Sequence, residues 1–237
     1  GRSISIDTIG NRLLVGTANG TIVTQSLVDS SEGDALMPSG TGESEVSAIT
    51  TGADGVVWAV IGCDLRFLPP GDGGGAMTNW QEYQFCSSSA DRATDIMVNS
   101  GSLMISTGAN GVYYISYNLS SNQSVVGIQS VDRWDTGNFL ASNRITDLQM
   151  MGSQLLISTE NAGISRRDMS TSTWLSRWPT GNTLASNNIL GTSVSDGWLH
   201  VLAGNTLQSY EISAGVFRAQ ETMQGIGLLD NAVSISS

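Results

Sequence analysis

The chain contains the same ten-residue motif twice, 44 residues apart, and this repeat constrains the fold more than any other feature. Residues 134–143 read WDTGNFLASN and residues 178–187 read WPTGNTLASN, so eight of the ten positions are identical. Self-similarity at a fixed period of roughly 20 to 50 residues is typical of proteins built from one recurring supersecondary unit. The sequence therefore predicts a repeat architecture.

The repeating unit consists of four short β-prone runs. In the clearest copy they occupy residues 145–148, 155–157, 164–167 and 173–178, and turn residues such as Gly152 separate them. Short runs of this kind, punctuated by Gly, Asn, Asp and Ser, indicate antiparallel strands joined by tight turns. Each unit is therefore expected to form a four-stranded sheet.

The apolar second run recurs along the whole chain and counts the units. Its successive offsets are 44, 46, 52 and 44 residues, and its copies lie at 13–15, 57–59, 103–105, 155–157 and 199–201. The sequence therefore predicts five repeats, with one strand left over after them. The repeats span approximately residues 3–45, 46–92, 93–143, 144–187 and 188–229, and the leftover strand spans 230–237.

Four-stranded units of this length predict an all-β fold, a β-propeller of antiparallel blades that uses residues 1–237 as a single domain. A β-sandwich with irregular hairpins is the alternative, but it would not explain the repeated motif. A ring of five closed blades is favoured, because an open ring exposes apolar faces and unpaired strand edges. The residues at 3–9 and 230–237 compete for one innermost position, so a window cut from a longer array stays open.

Composition excludes two classes of partner. The net charge of −11 and the pI near 4.2 oppose binding to phosphate backbones, so we expect no nucleic-acid partner. All ten basic residues are Arg, which excludes a lysine-rich membrane patch. The longest apolar stretch, residues 56–61, is too short to cross a bilayer, so we expect no direct membrane insertion.

The two cysteines, Cys63 and Cys86, fall in the second unit. If the third strand (64–69) pairs antiparallel with the fourth (80–85), facing residues have numbers that sum to about 149, as 63 and 86 do. A disulfide is therefore geometrically reasonable, and it would imply an oxidising compartment. Two buried free thiols are the alternative.

Two segments of the fourth unit carry a resemblance to a known family. Residues 140–148 read LASNRITDL and residues 155–164 read LLISTENAGI. Together they resemble the propeller repeat in the sensor regions of two-component regulators, although Ala141 and Ala185 stand where that family has proline. The resemblance implies a propeller used for sensing or scaffolding, usually outside the cytoplasm. It transfers no binding residue, because the motif is structural.

Catalytic constellations are scarce. The one histidine, His200, lies in an apolar run without an identifiable nucleophile, which favours a packing role. Asp95 and Asp147 occupy equivalent places in units three and four, where innermost strands would bring them near a central channel. Paired carboxylates can exchange protons or hold a cation, but they can equally bond to a neighbouring blade's backbone. The sequence favours a protein without catalytic function and implies no cofactor.

Four tryptophans are expected on or beside outer strands, where large rings fill the gaps between blades. Stacking on a sugar ring is the alternative role for these side chains. They are Trp80, Trp134, Trp174 and Trp178.

A ligand is expected on the face where second-to-third-strand turns meet the links between blades. This face is rich in Asn, Thr, Ser and Gly, and Arg166 and Arg167 lie close to it; loops on a rigid scaffold are where function collects. Turn geometry is the competing explanation for the same residues. The candidate ligand contacts are Asn110, Asn143, Arg144, Glu160, Asn161 and Asn187.

We therefore predict a non-catalytic, extracytoplasmic binding or sensing module for a protein, a glycan or a small ligand. One alternative is a hydrolase or lyase that uses Asp95 and Asp147 with a metal ion in the channel. Another is an architectural repeat fragment of a longer cell-surface protein.

Overall fold

The computed structural model describes residues 3–29, 32–36, 44–70, 79–87, 92–122, 126–179 and 183–222. These residues form twenty strands in five separate four-stranded sheets, and the strands of each sheet are ordered as they follow in the chain. Within these ranges no helix is long and apolar enough to cross a membrane. The predicted all-β fold with four strands per unit is confirmed, and the separate sheets argue against a sandwich.

Each sheet lies inside one of the five predicted repeats. Sheet 1 contains β1 (Ser3–Ile9), β2 (Arg12–Thr17), β3 (Ile22–Ser26) and β4 (Glu32–Leu36). Sheet 2 contains β5 (Val46–Thr51), β6 (Val57–Ile61), β7 (Asp64–Leu68) and β8 (Gln81–Gln84). Sheet 3 contains β9 (Ala93–Asn99), β10 (Ser102–Thr107), β11 (Val112–Leu119) and β12 (Val126–Trp134). Sheet 4 contains β13 (Ile145–Met151), β14 (Gln154–Thr159), β15 (Ile164–Asp168) and β16 (Thr173–Trp178). Sheet 5 contains β17 (Ile189–Ser195), β18 (Trp198–Ala203), β19 (Thr206–Glu211) and β20 (Val216–Thr222). The leftover strand predicted at 230–237 lies outside the described residues.

In sheets 2, 3 and 4 the second strand is the most buried element. All five residues of β6 and all six of β10 are buried, without the alternation of a strand that has one face in water. A strand that is buried on both faces reads as a continuous apolar run. This explains why the second runs were the clearest counters of the repeat.

Contacts divide the chain into two compact units, Gly1–Ile105 with Tyr113–Arg133, and Ser106–Val112 with Trp134–Ser237. The first unit has a core around Trp58, whose ring lies 4.7 Å from that of Tyr117. The core of the second unit includes Trp178, which packs 5.0 Å from Tyr210. A single domain and a closed ring stay predictions.

Cys63 and Cys86 form a disulfide at the end of the β7–β8 hairpin, with their Cα atoms 5.0 Å apart. The register predicted for this hairpin was wrong by one residue, because facing pairs such as Asp64 and Gln84 sum to 148. Phe85 N donates to Cys63 O at 3.1 Å and takes the place opposite Cys63, so the bridge runs diagonally to the next residue. The Cα separation lies within the usual range for disulfides.

The repeated motif forms the same joint twice within the second unit. Gly163, in the turn after β14, has φ +78°, and its N–H donates to Asn187 O at 2.9 Å. A Cβ on this glycine would collide with the carbonyl oxygen of Trp178, so only glycine fits the site. The joint therefore ties both ends of the repeated motif, its Trp and its Asn, to one glycine.

Gly111 makes the equivalent joint one repeat earlier. Its φ is +81°, and its N–H donates to Asn143 O at 2.9 Å. A Cβ there would collide with Trp134 O. The threonine that ends each second strand fixes the turn, since the hydroxyls of Thr107 and Thr159 donate to the carbonyls of Gly111 and Gly163 at 2.9 and 2.8 Å. We call the pairs Gly111–Asn143 and Gly163–Asn187 the glycine joints.

Gly163→Ala should lower the free energy of unfolding by at least about 2 kcal/mol more than a matched control, because it adds a backbone collision to the strain of a positive φ. The control is Gly152→Ala, at φ +61°, where a Cβ meets nothing within 4 Å. Urea unfolding followed by tryptophan fluorescence measures both values. Equal losses in the two variants would contradict the collision at the joint.

Candidate functional site

The structure places the six candidate ligand contacts together in the second unit, but it also gives several of them structural partners. The Asn143 side chain accepts from Thr136 N at 2.7 Å, which closes the loop 135–143. Its main chain belongs to a glycine joint, as does that of Asn187. Asn110 N donates to the Thr107 hydroxyl at 3.0 Å. Turn geometry therefore accounts for much of the asparagine content of this face.

Arg144 and Glu160 form an ion pair with each other, and Glu160 N donates to Arg144 O at 3.0 Å. Both side chains are exposed, with relative side-chain exposures of 60% and 45%. Asn161 is exposed in the same turn. A ligand would have to compete with this ion pair for both charges, so direct contact by Arg144 and Glu160 stays a prediction.

The two aspartates proposed for metal chemistry lie in different compact units, Asp95 on β9 and Asp147 on β13. Asp147 Oδ2 accepts from both the N–H and the hydroxyl of Thr192 on β17, at 2.7 and 2.5 Å. This is the bond to a neighbouring sheet that the sequence offered as the alternative to catalysis. Among the described residues, no three His, Cys, Asp or Glu side chains are grouped so that they could hold a metal ion.

His200 lies on β18, where its Nδ1 is 3.0 Å from the Ser209 hydroxyl on β19. The two residues face each other in the register of the hairpin. A cross-strand bond of this kind fits the packing role expected for His200.

A cleft of about 170 Å³ opens between the loop 135–143 and the outer strands of sheet 4. Its walls combine aromatic, aliphatic and guanidinium groups, and its lining residues are Phe139, Leu140, Ala141, Ser165, Arg166, Trp174, Leu175 and Arg177. Sequence reasoning placed a ligand near this loop and placed Arg166 close to it, but it did not identify the cleft. We call these eight residues the sheet 4 cleft.

The aromatic wall of the sheet 4 cleft is a stacked pair. Phe139 lies parallel to Trp174, with ring centroids 5.1 Å apart and an interplanar angle of 12°. Trp174 in turn meets Trp134 edge-on at 5.4 Å. The Phe139 side chain is 53% exposed, so one side of this stacked pair is open to solvent.

Two arginines, Arg166 and Arg177, line the cleft, and the guanidinium of Arg166 packs on an aromatic ring. Arg166 stacks 4.3 Å from the Trp178 ring centroid, and its Nη2 donates to Gln154 Oε1 at 2.8 Å. The neighbouring Arg167 does not line the cleft, and its guanidinium lies 4.7 Å from the ring centroid of Trp134 and 5.2 Å from that of Trp174. Burial lowers the pKa of Arg166 from its ordinary value, but a guanidinium stays charged at any physiological pH.

One lining position of the cleft has a short side chain where sheet 5 has a long one. Ser165 and Gln208 occupy equivalent places, facing Ile157 and Val201 in their sheets. Gln208 reaches the preceding linker twice, accepting from Ala185 N at 2.7 Å and donating to Thr183 O at 3.3 Å. Ser165 only accepts from Ala141 N, at 3.3 Å. The space that an amide fills in sheet 5 is therefore open in sheet 4.

The repeat itself marks Phe139 as a residue that the joint does not need. The two motif copies differ at only two positions, Asp135 against Pro179 and Phe139 against Thr183. Comparing the copies position by position is thus the sequence signal that could have identified Phe139 as a functional candidate.

The fold of this chain is shared by solved β-propeller structures. The computationally designed Ika8 protein aligns with a TM-score of 0.59 at 12% identity, over 94% of this chain and 62% of its own. BamB from Moraxella catarrhalis aligns with a TM-score of 0.56 at 10% identity, over 92% of this chain and 60% of its own. The β-propeller domain of Myceliophteria thermophila Cps50 (Swd1) aligns with a TM-score of 0.63 at 12% identity, over 93% and 72%.

These likenesses and the five separate four-stranded sheets define the class: the chain has the β-propeller fold. This chain spans about three fifths of the first two structures, since the alignments cover 62% and 60% of their lengths. At such low identities the similarity defines the fold alone. No protein-family profile matches the sequence, and no curated protein matches it either.

Replacement of Asp147 by Asn should change how the stability of the protein depends on pH, because the Asp147 carboxyl is buried between β13 and β17. Burial raises the pKa of Asp147 above its ordinary value of 3.8, although the hydrogen bonds from Thr192 lower it. Because the folded pKa exceeds the unfolded one, the wild type loses stability relative to Asp147→Asn as the pH rises from 3.8 through the folded pKa. Urea unfolding of both proteins over a pH series measures this difference.

Asp168→Asn is the control of opposite sign. The Ser170 hydroxyl, bonded to Asp168 at 2.6 Å, and neighbouring groups lower the pKa of this exposed carboxyl below 3.8. The stability that Asp168 contributes is present above pH 3.8 and is lost as the pH falls through the folded pKa. A flat difference for Asp147→Asn across the series would mean that its carboxyl is not desolvated.

Proposed function

We propose that this chain is a non-catalytic binding module that takes its ligand in the sheet 4 cleft. The single observation that carries the proposal is the exposed Phe139 ring, stacked on Trp174 beside two arginines. An exposed aromatic ring with convergent polar groups in a concave site is the ordinary form of a ligand site. Sheet 5 differs at the equivalent place, because Gln208 there bonds to its own linker.

The scaffold suits this role. The four strands of sheet 4 form three antiparallel pairings, and Asn143, at the end of the cleft loop, belongs to a glycine joint. Side chains on such elements keep their positions when a ligand arrives, which lowers the entropic cost of binding. Binding is thus expected with little rearrangement of the backbone.

We assign the module to an extracytoplasmic setting and a sensor-like role. The Cys63–Cys86 disulfide supports an oxidising compartment, since such bonds persist mainly there. The resemblance of residues 140–148 and 155–164 to the sensor repeats of two-component regulators supports sensing. A scaffold role as an architectural repeat within a longer surface protein is compatible with the same resemblance.

The alternative of a metal-dependent hydrolase or lyase is supported less well. It requires Asp147 to offer its carboxylate to a metal, while that carboxylate accepts two hydrogen bonds from Thr192. A calcium-induced rise of the melting temperature that is lost in Asp147→Ala would favour this alternative.

Phe139→Thr should weaken binding while it leaves the fold intact, because Thr183 occupies the same place in the second motif copy. The test uses one set of probes, a printed glycan array together with a small-molecule metabolite library read by thermal shift. We expect at least one class of probe to bind the wild type and to lose about tenfold or more in affinity with the variant, since ring stacking supplies much of such contacts.

Val216→Thr is the control for a general loss of exposed apolar surface, because Val216 is 39% exposed and is not part of the cleft. Binding that Phe139→Thr leaves unchanged would place the ligand elsewhere. Absence of binding to every probe would remove the proposed role of the cleft.

A further inference from the structure

We propose that the sheet 4 cleft recognises a hexuronate, a pyranose ring that carries a carboxylate. The proposal rests on the function proposed above and names its ligand class. Three properties of the cleft lead to it: its size, its aromatic wall and the sign of its charges.

Size limits the ligand to one ring. The cleft holds about 170 Å³, whereas pockets for drug-sized ligands begin near 300 Å³. Its rim is open, since Phe139 is 53% exposed and Arg177 is exposed too. A single sugar residue therefore fits inside, and its neighbours in a chain can continue into solvent.

The aromatic wall selects a flat apolar face. The ring of Phe139 is backed by Trp174 at 5.1 Å and cannot tilt without breaking that stack. A fixed aromatic plane is complementary to the C–H face of a pyranose, because that face is flat and apolar and is about as wide as the aromatic ring. A carboxylate on a flexible peptide side chain has no such face.

The polar groups of the cleft select an anion. Among its lining residues, Arg166 and Arg177 carry guanidinium groups and Ser165 carries a hydroxyl, and none has a carboxylate or an amide side chain. The indole nitrogen of Trp174 is buried. Guanidinium groups only donate hydrogen bonds. The hydroxyls of a neutral sugar can accept from these donors too, but a carboxylate carries a full negative charge and makes shorter, stronger hydrogen bonds with a guanidinium.

Arg177 and Arg166 have different roles in this arrangement. Within the described part of the chain, Arg177 has no carboxylate partner, so its guanidinium can pair with the ligand carboxylate in a bidentate manner. Arg166 donates to Ser176 O at 3.2 Å and to Gln154 Oε1 at 2.8 Å, which holds it in place. Arg177 is thus the specificity contact, and Arg166 adds a fixed positive charge.

Sheet 5 suggests a substitution, Ser165→Gln, that should fill the sheet 4 cleft. Gln208 stands where Ser165 stands in sheet 4 and bonds to its own linker on both sides. In Ser165→Gln the amide can bond to the backbone of the loop 135–143 in the same way. The variant fills the cleft with a side chain that the repeat already accommodates.

Isothermal titration of the full chain with galacturonate, trigalacturonate and galactose tests the proposal. We expect both uronates to bind and galactose to bind at least about tenfold more weakly, because it lacks the charged acceptor. Trigalacturonate binding more tightly than the monomer would identify a polysaccharide as the source. Equal affinity for the two would identify the free sugar acid, and either result supports the proposal.

Three variants locate the binding. Arg177→Gln should weaken galacturonate about tenfold while it leaves the weak galactose binding unchanged. Ser165→Gln should abolish binding and keep the melting temperature of the wild type. The control Arg218→Gln removes the same charge from an exposed ion pair with Glu211, outside the cleft, and should bind as the wild type does.

Galactose binding as tightly as galacturonate, an unaffected Arg177→Gln or tighter binding of a polyglutamate peptide would overturn the hexuronate. In each of these cases a loss in Phe139→Thr would still support a binding module. Galacturonate binding that survives both Phe139→Thr and Ser165→Gln would overturn the site itself. Absence of any uronate binding would overturn the proposal outright.

Discussion

The glycine joint is the contact on which the architecture of the second unit depends. Gly163 donates to Asn187 at 2.9 Å and lies against the carbonyl of Trp178, so one residue fixes both the end of a sheet and the start of the next. Since the turn needs a positive φ and has no room for a Cβ, the geometry tolerates no other side chain. Gly111 repeats the arrangement with Asn143 and Trp134. A recurring joint of this kind explains why the motif recurs almost unchanged at a spacing of 44 residues.

The same joint separates residues that hold the fold from residues that are available for binding. In the first motif copy, Asn143 closes the loop by accepting from Thr136 N at 2.7 Å, and Asn138 accepts from Asp135 N at 2.8 Å. The side chain at position 139 is not fixed by the motif, because one copy has Phe139 and the other has Thr183. A propeller can therefore vary such a position in one repeat without weakening the others, since each repeat contacts mainly its neighbours. The exposed Phe139 is the variation that sheet 4 carries.

The sequence predicted the repeat and its strands well, because period and turn chemistry are local properties. The second strands stood out because residues such as those of β10 are buried on both faces. The binding face was predicted less well. Asparagines suggested ligand contacts, whereas Asn143 caps its own loop, a role that shares the same residue type. The sheet 4 cleft depends on Ser165 being shorter than Gln208 across a strand register, which becomes visible only when the two sheets are aligned.

The net charge of the chain restricts how the sheet 4 cleft can recognise an anion. The chain has a net charge of −11, so a ligand that carries many negative charges is repelled at long range. Screening confines that repulsion to about 8 Å at physiological salt, and the guanidinium of Arg177 acts at shorter distance. Recognition of an anion by this protein must therefore come from a few close, oriented contacts rather than from an extended basic surface. A cleft for one charged ring, with Arg166 held by Gln154 at 2.8 Å and Arg177 at its rim, is the form that such recognition takes on an acidic scaffold.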